Sequence, residues 1–176
     1  MSQGCKVITG VTLILKQDNK ILLFKRNIPG KIAYGLFALP GGTVEANESV
    51  IHTACREAEE EMGITIDPQD VEIVHLIRLR EKYDPVSQET QQILMLYFAQ
   101  VNKWQGQPQN LEPHKHSDLA WFDLNALPSN IFDLNLRALE DIKRGKFIGE
   151  QGWEQGNLQD LTGQQEILKQ PTTSQI

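Results

Sequence analysis

The sequence predicts an α/β domain in which a mixed β-sheet packs between helices. Three observations predict it. Short runs rich in Val, Ile and Leu, sized for strands, alternate with helical patterns over roughly the first 150 residues. The apolar fraction of 40% is enough to build a real core. No internal repeat is visible, so the elements belong to one domain rather than to an array.

Val7 to Lys16 carries Val, Ile and Thr in a strand-like run, and Gln17-Asp18-Asn19 reads as a turn into a second strand, Ile21 to Lys25. Glu48 to Met62 contains no Gly or Pro and is rich in Ala and Glu, which predicts a helix. Asn47 is its expected cap, Glu48 falls in the first turn, and Gly63 supplies the stop. At roughly 100° per residue, Ile51, Ala54, Cys55, Ala58 and Met62 share one face, which should meet the core. Val71 to Leu79 alternates, placing Val71, Ile73, His75, Ile77 and Leu79 on one side. Lys82 to Gln92 reads as a loop. Ile93 to Val101 is nearly all apolar, as expected of a strand buried on both faces. Leu119 to Phe122 is a shorter strand, with Trp121 and Phe122 on opposite faces. Asp133 to Lys143 is an amphipathic helix through Leu134, Leu136, Leu139 and Ile142. The domain is expected to span residues 1–150. Residues 151–176, rich in Gln, Ser and Thr, form a partly flexible tail from which Trp153 packs back on the domain.

Charge and cysteine usage narrow the function. A net charge of −6 argues against binding a nucleic-acid polymer, which usually leaves a basic footprint. Two cysteines give no disulfide framework; Cys55 reads as a core residue and Cys5 as an inert thiol. No signal peptide is visible, and no apolar run approaches the ~20 residues of a membrane helix. The expectation is a soluble, cytoplasmic protein with no membrane partner, a monomer or homodimer.

The segment from Gly42 to Ile64, GTVEANESVIHTACREAEEEMGI, concentrates the chemistry. On a helix, Glu57, Glu60 and Glu61 form an arc beside the core face, while Glu59 points to the far side. Such crowding is unfavourable: like charges at helical spacing destabilise by about 0.2–0.5 kcal/mol per exposed pair. At an effective dielectric near 20, charges about 4 Å apart repel by roughly 4 kcal/mol, so partial burial worsens the problem. A divalent cation removes it, and hard carboxylate oxygens suit magnesium or manganese. Arg56 is donor-only and cannot be a ligand. It stands one turn from Glu60 and faces Glu48, positions from which it orients neighbouring glutamates. Upstream, Leu39-Pro40-Gly41-Gly42 allows a sharp turn and a close backbone approach to a ligand.

Gly42, then Glu48 after five residues, Arg56-Glu57 after seven more, Glu60-Glu61 and Gly63-Ile64 together resemble the Nudix box at every fixed position. The resemblance implies a Nudix-type α/β/α sandwich. It implies hydrolysis of a pyrophosphate bond in a nucleoside diphosphate derivative, with Mg2+ or Mn2+ as cofactor and a small nucleotide as substrate. Catalytic roles are implied for Arg56, Glu57, Glu60 and Glu61, and metal ligation for the Gly42 carbonyl with Glu57, Glu60 and Glu61. Lys25 and Arg26, ending the second strand, stand where related enzymes present a basic residue to phosphates. Glu89 fits by position a further carboxylate, metal ligand or base, supplied from the loop before the long strand. Asp118, with Trp121-Phe122 three residues on, resembles a base-reading segment.

Subfamily markers speak mostly by absence. The proline typical of ADP-ribose hydrolases is missing beyond Ile64, no NADH-type Ser-Gln-Pro-Trp-Pro run follows the box, and Tyr83 lies somewhat beyond the position that marks dinucleoside polyphosphate hydrolases. The leading expectation is therefore a MutT-like enzyme cutting a nucleoside triphosphate to the monophosphate and pyrophosphate. ADP-ribose or dinucleoside polyphosphate hydrolysis is the alternative. A non-catalytic nucleotide sensor is a third reading, although such domains usually lose a box glutamate. His114 and His116, in a polar loop, read as surface histidines; His75 reads as half-buried and satisfied, and His52 lies on the open helix face.

Overall fold

The structure is a computed structural model that describes residues 4–84 and 89–153. Its strands are β1 (Lys6–Gln17), β2 (Lys20–Arg26), β3 (Phe37–Ala38), β4 (Gly41–Thr43), β5 (Val71–Asp84), β6 (Glu89–Val101), β7 (His116–Asp123) and β8 (Ile148–Gln151), with helices α1 (Val50–Met62) and α2 (Asp133–Lys143). The sheet runs β3-β2-β1-β6-β5-β8, with β4 paired to β1 and β7 to β2. It is mixed: β1–β6 and β5–β8 are parallel, and the remaining pairs are antiparallel.

Side-chain alternation divides the core between the two faces of the sheet. Val11, Leu13, Leu15, Leu22 and Phe24 pack under Ala54, Ala58 and Met62 of α1. Ile14, Ile21 and Leu23 face the other way, under Leu134 and Ala138 of α2. With a helix on each side, both faces of β1 are covered, and Gly10 through Leu15 are buried without interruption. This is the expected α/β/α layering. Trp121 and Phe122 do part company, Trp121 stacking on Trp104 over the α1 side and Phe122 meeting Phe37 edge-on over the α2 side.

Several local expectations need correction. Helix α1 begins at Val50, not Glu48, because Ser49 takes the cap: its Oγ accepts from His52 N at 3.2 Å. Asn47 and Glu48 belong to the preceding turn, closed by Glu48 N donating to Glu45 O at 3.1 Å. Gly63 ends the helix in the left-handed conformation, φ 68°, as predicted. The alternation of β5 does not keep one face. A bulge between Ile73 and His75 shifts the register, so Val71 joins the core beneath α1 while Ile77 and Leu79 join that beneath α2. The region read as a loop from Lys82 to Gln92 is largely strand, since β5 continues to Asp84 and β6 starts at Glu89. His75 is fully rather than half buried, and its Nδ1–H donates to Lys146 O at 3.0 Å.

Strands β3, β4 and β8, two to four residues each, were not predicted; they are too short to show a period. Trp153 does pack back, its ring 4.0 Å from the Arg78 guanidinium carbon. Residues 154–176 of the expected tail lie outside the described residues. Among the described residues no helix is long and apolar enough to cross a membrane.

Candidate active site

The site forms where the start and end of α1 meet β4. Arg56 is its hub. Nε donates to Glu48 Oε1 at 2.7 Å and Nη2 to Glu48 Oε2 at 3.1 Å, a fork-on-carboxylate pair. Nη1 reaches Glu57 Oε1 at 2.8 Å and Glu60 Oε2 at 2.9 Å, and Nη2 reaches the Thr43 carbonyl at 3.4 Å. One planar cation thereby contacts three acids and β4, including the Glu48 and Glu60 that the sequence sets beside it. The Arg56 hydrogen bonds are the chief reason that the Glu48 carboxyl is held down at about 2. The same pairing, Glu48 foremost, pushes the Arg56 guanidinium up.

Glu57 behaves oppositely. Burial first, and the neighbouring Glu61 charge second, push its carboxyl above the ordinary range despite Arg56. Glu61 is itself buried, 4% exposed, whereas Glu60 is open to solvent and Glu59 is exposed on the far side.

The paired glycines let β4 come this close. Gly41, at φ 143°, donates its N–H to Glu61 Oε2 at 2.9 Å, and a Cβ there would strike the Val11 carbonyl. A Cβ on Gly42 would run into the Glu57 carboxylate. The strand is held at this depth by pairing Gly41–Thr43 with Thr12–Gly10 of β1.

Two further residues join from a distant segment. The chain beyond β6 pairs Gln105 with Thr65 and then covers the end of α1, where Gln109 N donates to Met62 O and Leu111 N to Glu61 O, both at 3.0 Å. Glu112 and His116 are thus delivered to Glu61, and donor atoms of the three residues lie within 4.8 Å of one another. His116 is therefore not a surface histidine: it is 2% exposed, stacks on Phe24 at 4.3 Å between centroids, and places Nε2 3.2 Å from Glu61 Oε1. It is buried because β7 starts at His116, whose backbone pairs with Arg26. His114 is exposed, as is His52. Lys115 binds Glu112 at 2.6 Å, and chiefly for that reason its ammonium is pushed up.

The donor set fits a hard divalent cation. The Glu57 carboxylate stands against Gly42, Glu61 Oε2 binds Gly41 N, and Glu61, Glu112 and His116 offer donor atoms within 4.8 Å of one another, while the Glu61 charge helps to push the Glu57 carboxyl up. Arg56 satisfies only the Glu48, Glu57 and Glu60 side of the cluster.

The NUDIX domain family matches residues 6–142. The chain belongs to the Nudix family. A MutT NUDIX hydrolase from Burkholderia pseudomallei has a similar structure, with TM-score 0.65 and 29% identity over 77% of this chain and 97% of that one. The E. coli ORF135 protein follows with TM-score 0.58 and 29% identity, over 79% and 92%. Curated relatives match in shorter segments. An ADP-ribose pyrophosphatase of Methanocaldococcus jannaschii is 54% identical over 52 residues, 29% of each chain. An 8-oxo-dGTP diphosphatase of Buchnera aphidicola is 30% identical over 87 residues, 49% of this chain and 62% of its own. The phosphatase NudJ of Escherichia coli is 33% identical over 75 residues, 43% and 44%. The chain thus spans less than two thirds of the curated relatives it matches.

In this Nudix domain the other predicted residues are distributed unevenly. Arg26 lines a cleft of about 290 Å³ with Leu39, Gly41, Gly42 and Asn135. Buried Asn135 is fixed there, its Oδ1 accepting from Leu39 N at 3.1 Å. Lys25 points elsewhere and pairs with Asp118 across the strands at 3.9 Å, both exposed. Asp118 is not among the residues lining that cleft. Glu89 starts β6, and its side chain lies outside the described residues.

Sequence reasoning missed Glu112, His116 and Asn135. A polar Glu-Pro-His-Lys-His run carries no periodicity, and the only local signal is the i,i+4 spacing of Glu112 and His116. Their partner Glu61 is 55 residues away from His116 in the chain.

Proposed function

We propose that this protein hydrolyses a pyrophosphate bond in a nucleoside diphosphate derivative with Mg2+ or Mn2+, and that its substrate is a nucleoside triphosphate cut to the monophosphate and pyrophosphate. The observation that carries the reading is the Glu57–Glu61 pair, two carboxylates set against Gly41-Gly42 of which Arg56 reaches only Glu57. Glu57, Glu60, Glu61, Glu112 and the Gly42 carbonyl would hold the metal. When bound, the ion neutralises charge developing on the phosphate oxygens and lowers the pKa of an attacking water.

The chain's own residues do the rest. Arg56 keeps Glu57 and Glu60 oriented and Glu48 ionised. A glutamate takes the proton of the water, with Glu60, Glu61, Glu89 and Glu112 as candidates. Arg26, which lines the cleft by Gly42, would meet phosphate oxygens. The cleft is close to the lower end of the ~300–1,000 Å³ usual for ligand sites, and Asn135 on its wall offers the polar group that a base would need. Asp118 remains a second candidate for reading the base. Such chemistry belongs in the cytoplasm, where nucleotides are handled, and a monomer or homodimer would suffice.

The similarity to an 8-oxo-dGTP diphosphatase supports a triphosphate, while the short, stronger match to an ADP-ribose pyrophosphatase supports the alternative substrate. The test is a panel of nucleoside triphosphates, ADP-ribose and dinucleoside polyphosphates with Mg2+, with products separated by chromatography. Monophosphate and pyrophosphate from a triphosphate are expected. Cleavage of ADP-ribose at least about a hundredfold more efficiently, some 2.7 kcal/mol in the barrier, would replace the substrate assignment. No hydrolysis of any member would end the enzymatic reading.

A further inference from the structure

A buried polar side chain beside Glu61 has no part in the chemistry above. His116 is 2% exposed, stacked on Phe24, and carries no charge partner except Glu61 among the described residues. We propose that His116 is a positioning residue that holds the Glu61 carboxylate from the core side and so presets the metal site. The inference rests on the metal-site reading above.

Both oxygens of Glu61 are engaged, and by different parts of the fold. Oε2 accepts from the Gly41 backbone N–H at 2.9 Å, and Oε1 lies 3.2 Å from His116 Nε2. A carboxylate only accepts, so the ring must carry its hydrogen on Nε2; the other tautomer would set two acceptors face to face. Nδ1 is buried with no hydrogen-bond partner among the described residues, which leaves Nε2 as the one polar atom of the ring in use. The residue is held on several sides. Its face lies on Phe24, its backbone pairs with Arg26, and its carbonyl accepts from Asn110 Nδ2 at 2.7 Å.

The same residue fixes Glu112. His116 N donates to Glu112 O at 3.0 Å, one turn back along the chain, while Leu111 N donates to Glu61 O. Glu61 and Glu112 are therefore clamped to each other by backbone and by the His116 side chain together. Partners that orient a ligating group typically matter roughly 10- to 100-fold in metal affinity. Direct ligation by His116 is the competing arrangement. The ring's burial and the use of Nε2 by Glu61 favour positioning.

The experiment compares the full-length protein with His116→Gln, which keeps an N–H donor, and His116→Leu, which keeps bulk but not the donor. Mn2+ binding is measured by electron paramagnetic resonance without substrate, together with the melting temperature. His116→Leu should bind Mn2+ roughly 10- to 100-fold more weakly without a fall in melting temperature, and His116→Gln should recover most of the loss. Unchanged affinity in His116→Leu overturns the proposal. So does equal weakening in both variants with lowered melting temperature, which would mean packing alone. Nitrogen coupling to bound Mn2+ that disappears in His116→Gln but persists in His114→Gln also overturns it, in favour of ligation. Because binding is read without turnover, a protein that binds Mn2+ but cleaves no nucleotide would sink the hydrolase reading and leave this one standing. A protein that binds no Mn2+ overturns both.

Discussion

The carboxylate of Glu57 occupies the space that a Cβ on Gly42 would need. Gly42 is not at a positive φ, so an alanine there would meet no backbone strain, only the acid. Gly42→Ala should therefore act by displacing Glu57 while the fold survives. A displacement near 1 Å can cost about a hundredfold in rate. Steady-state kinetics with saturating Mg2+, alongside a melting curve, checks this. A fully active Gly42→Ala would show that Glu57 need not stand against the Gly42 backbone.

Helix geometry predicts which glutamates matter. Glu57→Gln, Glu60→Gln and Glu61→Gln should lower kcat by orders of magnitude, and chelation of the metal should abolish activity in the unmodified protein. Glu59→Gln should be nearly silent, because Glu59 is exposed on the other side of α1 and none of the described site contacts reaches it. A Glu59→Gln defect as deep as that of Glu60→Gln would contradict the arrangement.

Opposite shifts in two acids give the metal-free protein a definite pH response. Glu48 is depressed from 4.5 to about 2, so the unfolded chain binds its proton more readily. Its contribution is present above pH 4.5 and is lost as pH falls towards 2. Glu57 is raised, so there the folded state holds the proton, and stability falls as pH rises from 4.5 through its raised value. Thermal unfolding against pH should show Glu48→Gln losing the acid-side slope. Glu57→Gln should gain stability relative to the unmodified protein above that window. Bound Mg2+ should stabilise the unmodified protein more at pH 7 than at pH 4, since the proton on Glu57 must leave first. Parallel curves for all three proteins would remove the assignment.

Arg56 should not tolerate lysine. Its contacts to Glu48, Glu57, Glu60 and Thr43 O use the whole planar fork, and an ammonium is a single point charge on a flexible stem. Arg56→Lys is expected to reduce kcat and to release Glu48, whose carboxyl should rise towards its ordinary value, readable by NMR titration. A lysine variant with normal activity and a still-depressed Glu48 would show that charge alone suffices.

What the sequence made legible here is local. Arg56 and Glu60 are one helical turn apart, and Glu57 and Glu61 share a flank of the same helix, so their convergence follows from the 3.6-residue period. β1 and β2 were legible as apolar, strand-like runs, but not the face that each of their residues takes. Legibility failed where the determining contact was distant or where residue types carried no signal. The β5 bulge at Ile73/His75 leaves the sequence alternation intact while reversing the faces. Asn47 and Ser49 are comparably good caps, and only the Glu45–Glu48 turn selects Ser49. His116 looked like a surface residue because nothing near it in the chain announces Glu61.

A glutamate outside the box is a further such case. Position in the chain points to Glu89, whose side chain lies outside the described residues, and the fold adds Glu112 as a second candidate, its backbone following Leu111 on the Glu61 carbonyl and its carboxylate in the Glu61–His116 group. The Glu112 carboxylate also pairs with Lys115 at 2.6 Å. Glu112→Gln should therefore lower kcat at least about tenfold, the small end of what a positioned acid or base contributes, with little change in melting temperature. Glu89→Gln should leave kcat within a few-fold. Single-turnover rates for the two variants, measured across Mg2+ concentrations, separate a metal-binding role from a base role: excess metal rescues a ligand variant but not the loss of a base. A silent Glu112→Gln beside a severely impaired Glu89→Gln would return the role to Glu89 and would mean that the Glu61–Glu112–His116 group only holds the fold.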